Sequence, residues 1–119
     1  MSGLDNAIHG LQQALESPPR HHMWRWLVRN RLSTVKEALH GEWSRGGDAW
    51  LAPREITLHR ERNTLLRRMA SLGPAVLEDE DLEGVRDELV RLVSALEHYH
   101  QRVNDLVYDS VALELGGSE

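Results

Sequence analysis

Residues 81–112 read DLEGVRDELVRLVSALEHYHQRVNDLVYDSVA. No Pro interrupts them, and their apolar residues recur every three or four positions. Turned at about 100° per residue, Val85, Leu89, Leu92, Val93, Leu96, Val103 and Val107 fall on one stripe, the signature of an amphipathic helix. His100 lies inside that stripe, while His98 and Asp105 point to the opposite side. The acidic run Glu78-Asp79-Glu80-Asp81 suits a helix N-terminus, with Asp81 as N-cap. A helix of this length cannot bury its stripe alone, so it predicts partner helices.

The preceding sequence supplies them. Leu4, Ile8, Leu11 and Leu15 predict a helix over about 4–16, ended by Pro18-Pro19. Trp24, Leu27, Val28, Leu32, Val35 and Leu39 predict a second over about 20–42, followed by the breaker-rich Ser44-Arg45-Gly46-Gly47-Asp48. Leu58, Leu65, Met69 and Leu72 predict a third over about 53–72, with Pro53 at its first position and Gly73-Pro74 as its stop. Residues 113–119 read as a frayed tail. The expected fold is all-α: one domain over 1–119, an up-down four-helix bundle with the fourth helix longest. The end of that helix, around Leu106 and Tyr108, is a candidate overhang for a partner chain.

Composition excludes several function classes. The 119 residues hold no Cys, which removes disulfides, thiol catalysis and Cys-ligated metal. No apolar run is long enough to span a membrane. The opening MSGLDNAIHG lacks a basic stretch followed by an apolar one, so the expected compartment is the cytoplasm. The net charge of −5 argues against nucleic acid as the partner. It is unevenly placed, with residues 20–68 net basic and 69–119 net acidic, which predicts two halves folding against each other. Thirteen of the fourteen basic residues are Arg, the better residue for planar pairing with carboxylates. No Gly-rich phosphate loop, nucleophile elbow or His-Glu-x-x-His zinc motif occurs.

Three sets of residues carry candidate functions. Arg31, Arg62 and His100 fall within their stripes and predict a polar layer paired with edge acids such as Glu61 and Glu97, or a pocket in which the two Arg grip a small anion. Trp26 is set on the outer face of the second helix near Arg25 and Arg29, and Trp with Arg is a typical interface anchor. Trp43 and Trp50 bracket the Gly46-Gly47 loop and are expected to anchor it. The third set concerns metal. Glu37-x-x-His40 and Glu97-x-x-His100 match the spacing that ferritin-like di-iron bundles use, although Glu37 and His40 lie on the outer side of their helix.

Ile8-His9-Gly10-Leu11, Leu39-His40, Leu58-His59-Arg60-Glu61 and the run Leu96 to Asp105, in which an acid follows His100 by five residues, together resemble the four helices of the hemerythrin-like (HHE) family. That family's second helix carries an acid where this chain has Ser44, and its third a second His where this chain has Asn63. The resemblance implies a centre of two non-haem iron ions that binds oxygen or reacts with it, with His9, His40, His59, His100 and Asp105 as candidate ligands and Glu61 and Glu97 beside them. The primary expectation from the residues is different: a bundle without cofactor or catalysis, acting as an interaction or regulatory module through a protein partner or self-association. The hemerythrin-like reading and the anion-binding reading are the alternatives.

Overall fold

A computed structural model describes residues 3–19, 22–43 and 53–117, with side chains for 3–19, 22–41 and 55–106. Four helices follow in chain order: α1 (Gly3–Glu16), α2 (Trp24–Trp43), α3 (Pro53–Glu78) and α4 (Leu82–Gly117). α1 packs on α2 and α4, and α3 packs on the same two. The result is a four-membered ring of helices in which the α1/α4 face lies opposite the α2/α3 face. The expected four-helix bundle is the observed fold, and α4 is its longest member. Among the described residues no helix is long and apolar enough to cross a membrane.

The core is the sum of the four stripes. Leu4, Ile8, Leu11 and Leu15 meet Trp24, Val28, Leu32, Val35 and Leu39, then Leu58, Leu65, Met69, Leu72 and Val76, then Val85, Leu89, Leu92, Val93 and Leu96. Tyr99 joins them fully buried, a position the stripe through Val103 and Val107 passes by. In a chain without Phe, Trp24 and Tyr99 are the largest core side chains. The Trp24 indole N–H has no hydrogen-bond partner among the described residues, so its burial rests on apolar area alone. No polar or charged side chain among the described residues is fully buried. The expected polar layer is corrected to a flanking one: Arg62, Glu61 and His100 are half-buried beside the core and Arg31 is exposed.

Three helix boundaries differ from expectation, each for a local reason. α2 begins at Trp24 rather than near residue 20, the Leu27 N–H reaching the Met23 carbonyl at 2.9 Å. α3 does not stop at Gly73-Pro74 but continues to Glu78 with Pro74 inside it. Proline removes one intrahelical bond and crowds the preceding turn. Two gains offset that cost: Val76 is fully buried, and the Arg25 guanidinium donates to the Val76 carbonyl at 2.9 Å and the Asp79 carbonyl at 2.8 Å. α4 continues past 112 to Gly117, because Leu113-Glu114-Leu115 are good helix formers and the first breakers are Gly116 and Gly117. The expected tail is helix for most of its length.

The start of α4 follows its expected cap. The Gly84 N–H donates to Asp81 Oδ1 at 3.0 Å, and the Asp81 N–H donates to Asp79 Oδ1 at 2.9 Å. Glycine at 84 leaves room for the Asp81 carboxylate, which would have to shift if a Cβ stood there.

At about 1.5 Å per residue the 36 residues of α4 span roughly 54 Å, close to the 59 Å long axis of the molecule. His100 of α4 lies beside Asp5 in the first turn of α1, so the helix beyond His100 runs past the start of α1.

Two substitutions test this account by urea unfolding. Arg25→Met should cost about 1.5–3 kcal/mol, since it removes charged donors from two helix-end carbonyls. Gly73→Ala should stabilise by about 0.5–1 kcal/mol, because a methyl there meets nothing within 4 Å. A loss of stability in the second case would mean that α3 needs Gly73 as a hinge.

Candidate functional site

Among the described residues, the α2/α3 face carries the most exposed large apolar side chain. The α2 stripe points its Val and Leu residues at the core, which turns Trp26 outward, 59% exposed. Met23 lies one turn before it, and Leu77 near the end of α3 is also exposed. A cleft of 190 Å³ runs between the two helices, lined by Arg29, Leu32, Ser33, Lys36, Met69, Ala70, Gly73 and Pro74. It exists because α3 offers only small or ring-closed side chains at 70, 73 and 74. Arg29 and Lys36 make its α2 wall basic. Of the expected interface residues, Trp26 and Arg29 belong to this face. Arg25 does not offer its guanidinium to a partner, because it is engaged on the carbonyls of Val76 and Asp79.

The α1/α4 face, on the opposite side, holds a longer groove. One stretch of 290 Å³ is lined by Gln12, Leu15, Glu16, Arg86, Val90, Val93, Ser94 and Glu97. The next, of 320 Å³, is lined by Asp5, Ile8, His9, Gln12, Glu97, His100 and Gln101. Gln12 and Glu97 line both, so the two stretches adjoin. Its first stretch has an apolar floor, with Val90 exposed. Its cation, Arg86, donates through Nε to the Leu15 carbonyl at 3.1 Å and stands with Glu16 and Glu97 in the walls. In the second stretch His100 Nε2 lies 3.8 Å from Asp5 Oδ1, and His100 Nδ1 is buried without a hydrogen-bond partner.

On the α3/α4 side the Arg102 guanidinium pairs with Glu61 at 3.0 Å, and Gln101 donates to Asp105 at 3.0 Å. Thr57, Leu58, Arg102 and Asp105 share a cleft of 210 Å³.

The inward-facing Arg pair is not formed. Arg31 is exposed, and its side chain lies beside Gly10, where a Cβ would sit 3.7 Å from both Cδ and Nη1. Arg62 is half-buried but turns to the end of α2, donating to the Leu39 carbonyl at 3.4 Å and to Asn63 Oδ1 at 2.9 Å. Position 31 tolerates a charge within the stripe because a long side chain can carry its head to the rim. The two guanidinium groups therefore do not build an anion pocket.

The metal candidates scatter. His9, Glu97 and His100 line the α1/α4 groove, Glu61 is taken by Arg102 and Asp105 by Gln101, and His40 is exposed on α2. His59 is half-buried on α3. Among the described residues no three His, Asp or Glu side chains come together as a metal-binding group. A bundle-core di-iron centre needs carboxylates and imidazoles projecting inward. Here the inward positions are apolar, so the residues as placed do not fit that centre.

Of the remaining interface candidates, Leu106 packs partly buried against the core rather than standing free. The side chains of Tyr108 and Trp43, together with Trp50 and the Gly46-Gly47 loop, lie outside the described residues. Sequence reading missed Leu77 and Val90. Leu77 was lost with the early stop at Pro74; Val90 is an apolar residue off the α4 stripe, a signal that was present.

The chain matches no protein-family model, no curated protein and no solved structure.

The rim position of Arg31 has a measurable consequence. Arg31→Ala should change unfolding stability by less than about 0.5 kcal/mol, while Leu32→Ala, one residue on, should cost about 2–5 kcal/mol. A large loss at Arg31 would restore the inward-facing reading.

Proposed function

We propose that this chain is a non-catalytic interaction module whose partner docks on the α2/α3 face around Trp26. The observation that carries the reading is the exposure of Trp26 beside Arg29 and the α2/α3 cleft. A solvent-facing indole adds nothing to the folded core, whereas Trp and Arg together supply the rigid apolar area and planar donors that dominate binding energies at interfaces. Met23 and Leu77 extend the apolar area on either side. Arg29 and Lys36 favour a partner surface that is apolar at its centre and acidic at its rim.

The reading separates binding from folding. Trp26→Ala should leave the thermal midpoint unchanged within a few degrees, because the side chain is exposed. The same substitution should weaken capture of the bound protein, with the immobilised chain as bait, by about tenfold or more. Arg29→Glu should do likewise. Equal capture by wild type and both variants would overturn the proposal.

A further inference from the structure

We propose that the partner for the Trp26 face is a second copy of this chain, and that Trp26 of one copy seats in the α1/α4 groove of the next; this rests on the reading of Trp26 as a docking residue. Three observations meet in it. The first is shape. Trp26 projects from one face, and the opposite face has an open recess of 290 Å³, ample for one indole. The second is chemistry. The floor of that recess is apolar, made by Leu15, Val90 and Val93, and Val90 is 45% exposed in the lone molecule. The third is charge. Arg29 and Lys36 flank the α2/α3 cleft, while Glu16 and Glu97 flank the recess. Arg86 keeps its positive charge while donating to the Leu15 carbonyl, so its one cation offsets part of the two carboxylates and the recess stays acidic on balance. Docking therefore brings a basic wall against an acidic one and buries an apolar side chain on an apolar floor.

The knob and the recess lie on opposite faces of the ring of helices. The contact is therefore heterologous: each copy gives its Trp26 to one neighbour and its groove to another. Assembly continues into a ring or a chain rather than closing as a symmetric dimer. Because charge steers it, added salt weakens it.

The test uses Trp26→Ala, which removes the knob, and Val90→Arg, which fills the recess and sets a cation against Arg29. Both positions are exposed, and circular dichroism checks that both variants stay folded. Sedimentation velocity across the micromolar range should show wild type associating, with each variant alone monomeric. The equimolar mixture should form a 1:1 dimer and nothing larger. The Trp26→Ala copy still offers a groove and the Val90→Arg copy still offers Trp26, so one contact forms and both ends are capped. Raising salt to about 1 M, where charges are screened beyond about 3 Å, should reduce wild-type association at least several-fold.

Wild type that stays monomeric throughout overturns the inference. So does a mixture that stays monomeric, or wild type that stops at a symmetric dimer. If wild type is monomeric yet Trp26→Ala still loses capture of another protein, the docking role of Trp26 stands and only self-assembly falls. If Trp26→Ala changes neither measurement, both readings fall together.

Discussion

Every α-helix leaves its last carbonyls without internal partners, and at the ends of α1 and α3 an arginine from a neighbouring helix fills that need. Arg86 of α4 donates to Leu15 at the end of α1. Arg62 of α3 adds a longer bond, at 3.4 Å, to the Leu39 carbonyl one turn before the end of α2. Arg25 of α2 donates to Val76 and Asp79 at the end of α3. Neither α1 nor α3 has a basic residue in its own last turn, so the cation that complements each helix dipole comes from across the bundle. Arg25 reaches two carbonyls with two nitrogens of one planar fork, geometry a lysine cannot reproduce. These bonds also set register. Among the described residues the core is mostly Leu and Val and holds no fully buried charged side chain, which offers little to stop a helix sliding by a turn, whereas a directional bond at the rim opposes it. The arginine-rich composition thus has a structural use at these three positions.

The same interaction explains where sequence reading succeeded and where it stopped. Apolar periodicity identified the four helices and nearly all of the core, because that signal belongs to each helix by itself. Gly73-Pro74 misled because a breaker is local, while the reason α3 survives it lies on α2, in Arg25. Arg31 and Arg62 looked alike on a helical wheel. One reaches solvent alongside Gly10 and the other a carbonyl on α2, a difference decided by which neighbour lies beside each. Tyr99 shows the opposite limit: a stripe drawn through Val103 and Val107 passes beside it, although it fills the core between Leu92 and Leu96 on one side and its neighbours on the other helices.

The candidate surfaces were legible only in part. Trp26 could be found from its angle to the α2 stripe. The clefts could not, because each belongs to two helices at once: Ala70, Gly73 and Pro74 matter only opposite Arg29 and Lys36, and Val90 only opposite Gln12 and Leu15. The hemerythrin-like resemblance had the same weakness in reverse. It rested on His positions along the chain, and the bundle sets His9 and His100 on one groove while His40 and His59 lie on α2 and α3.

Charge is where the single chain and the folded ring differ most. A basic 20–68 followed by an acidic 69–119 suggests two halves that neutralise each other on folding. Neutralisation across the ring is hindered by its order, since α2 borders α1 and α3 but not α4. The ion pair that joins α4 to α3 even runs in the opposite sense: the arginine, Arg102, comes from the acidic half and the carboxylate, Glu61, from the basic half. Arg29 and Lys36 therefore remain on one face, and Glu16 and Glu97 on the opposite one. Charges placed in this way would favour contact between two copies with unlike faces together. Exposed apolar side chains occur on both of those faces, Trp26 on the first and Val90 on the second. Burying them gains most in the orientation that the charges already favour.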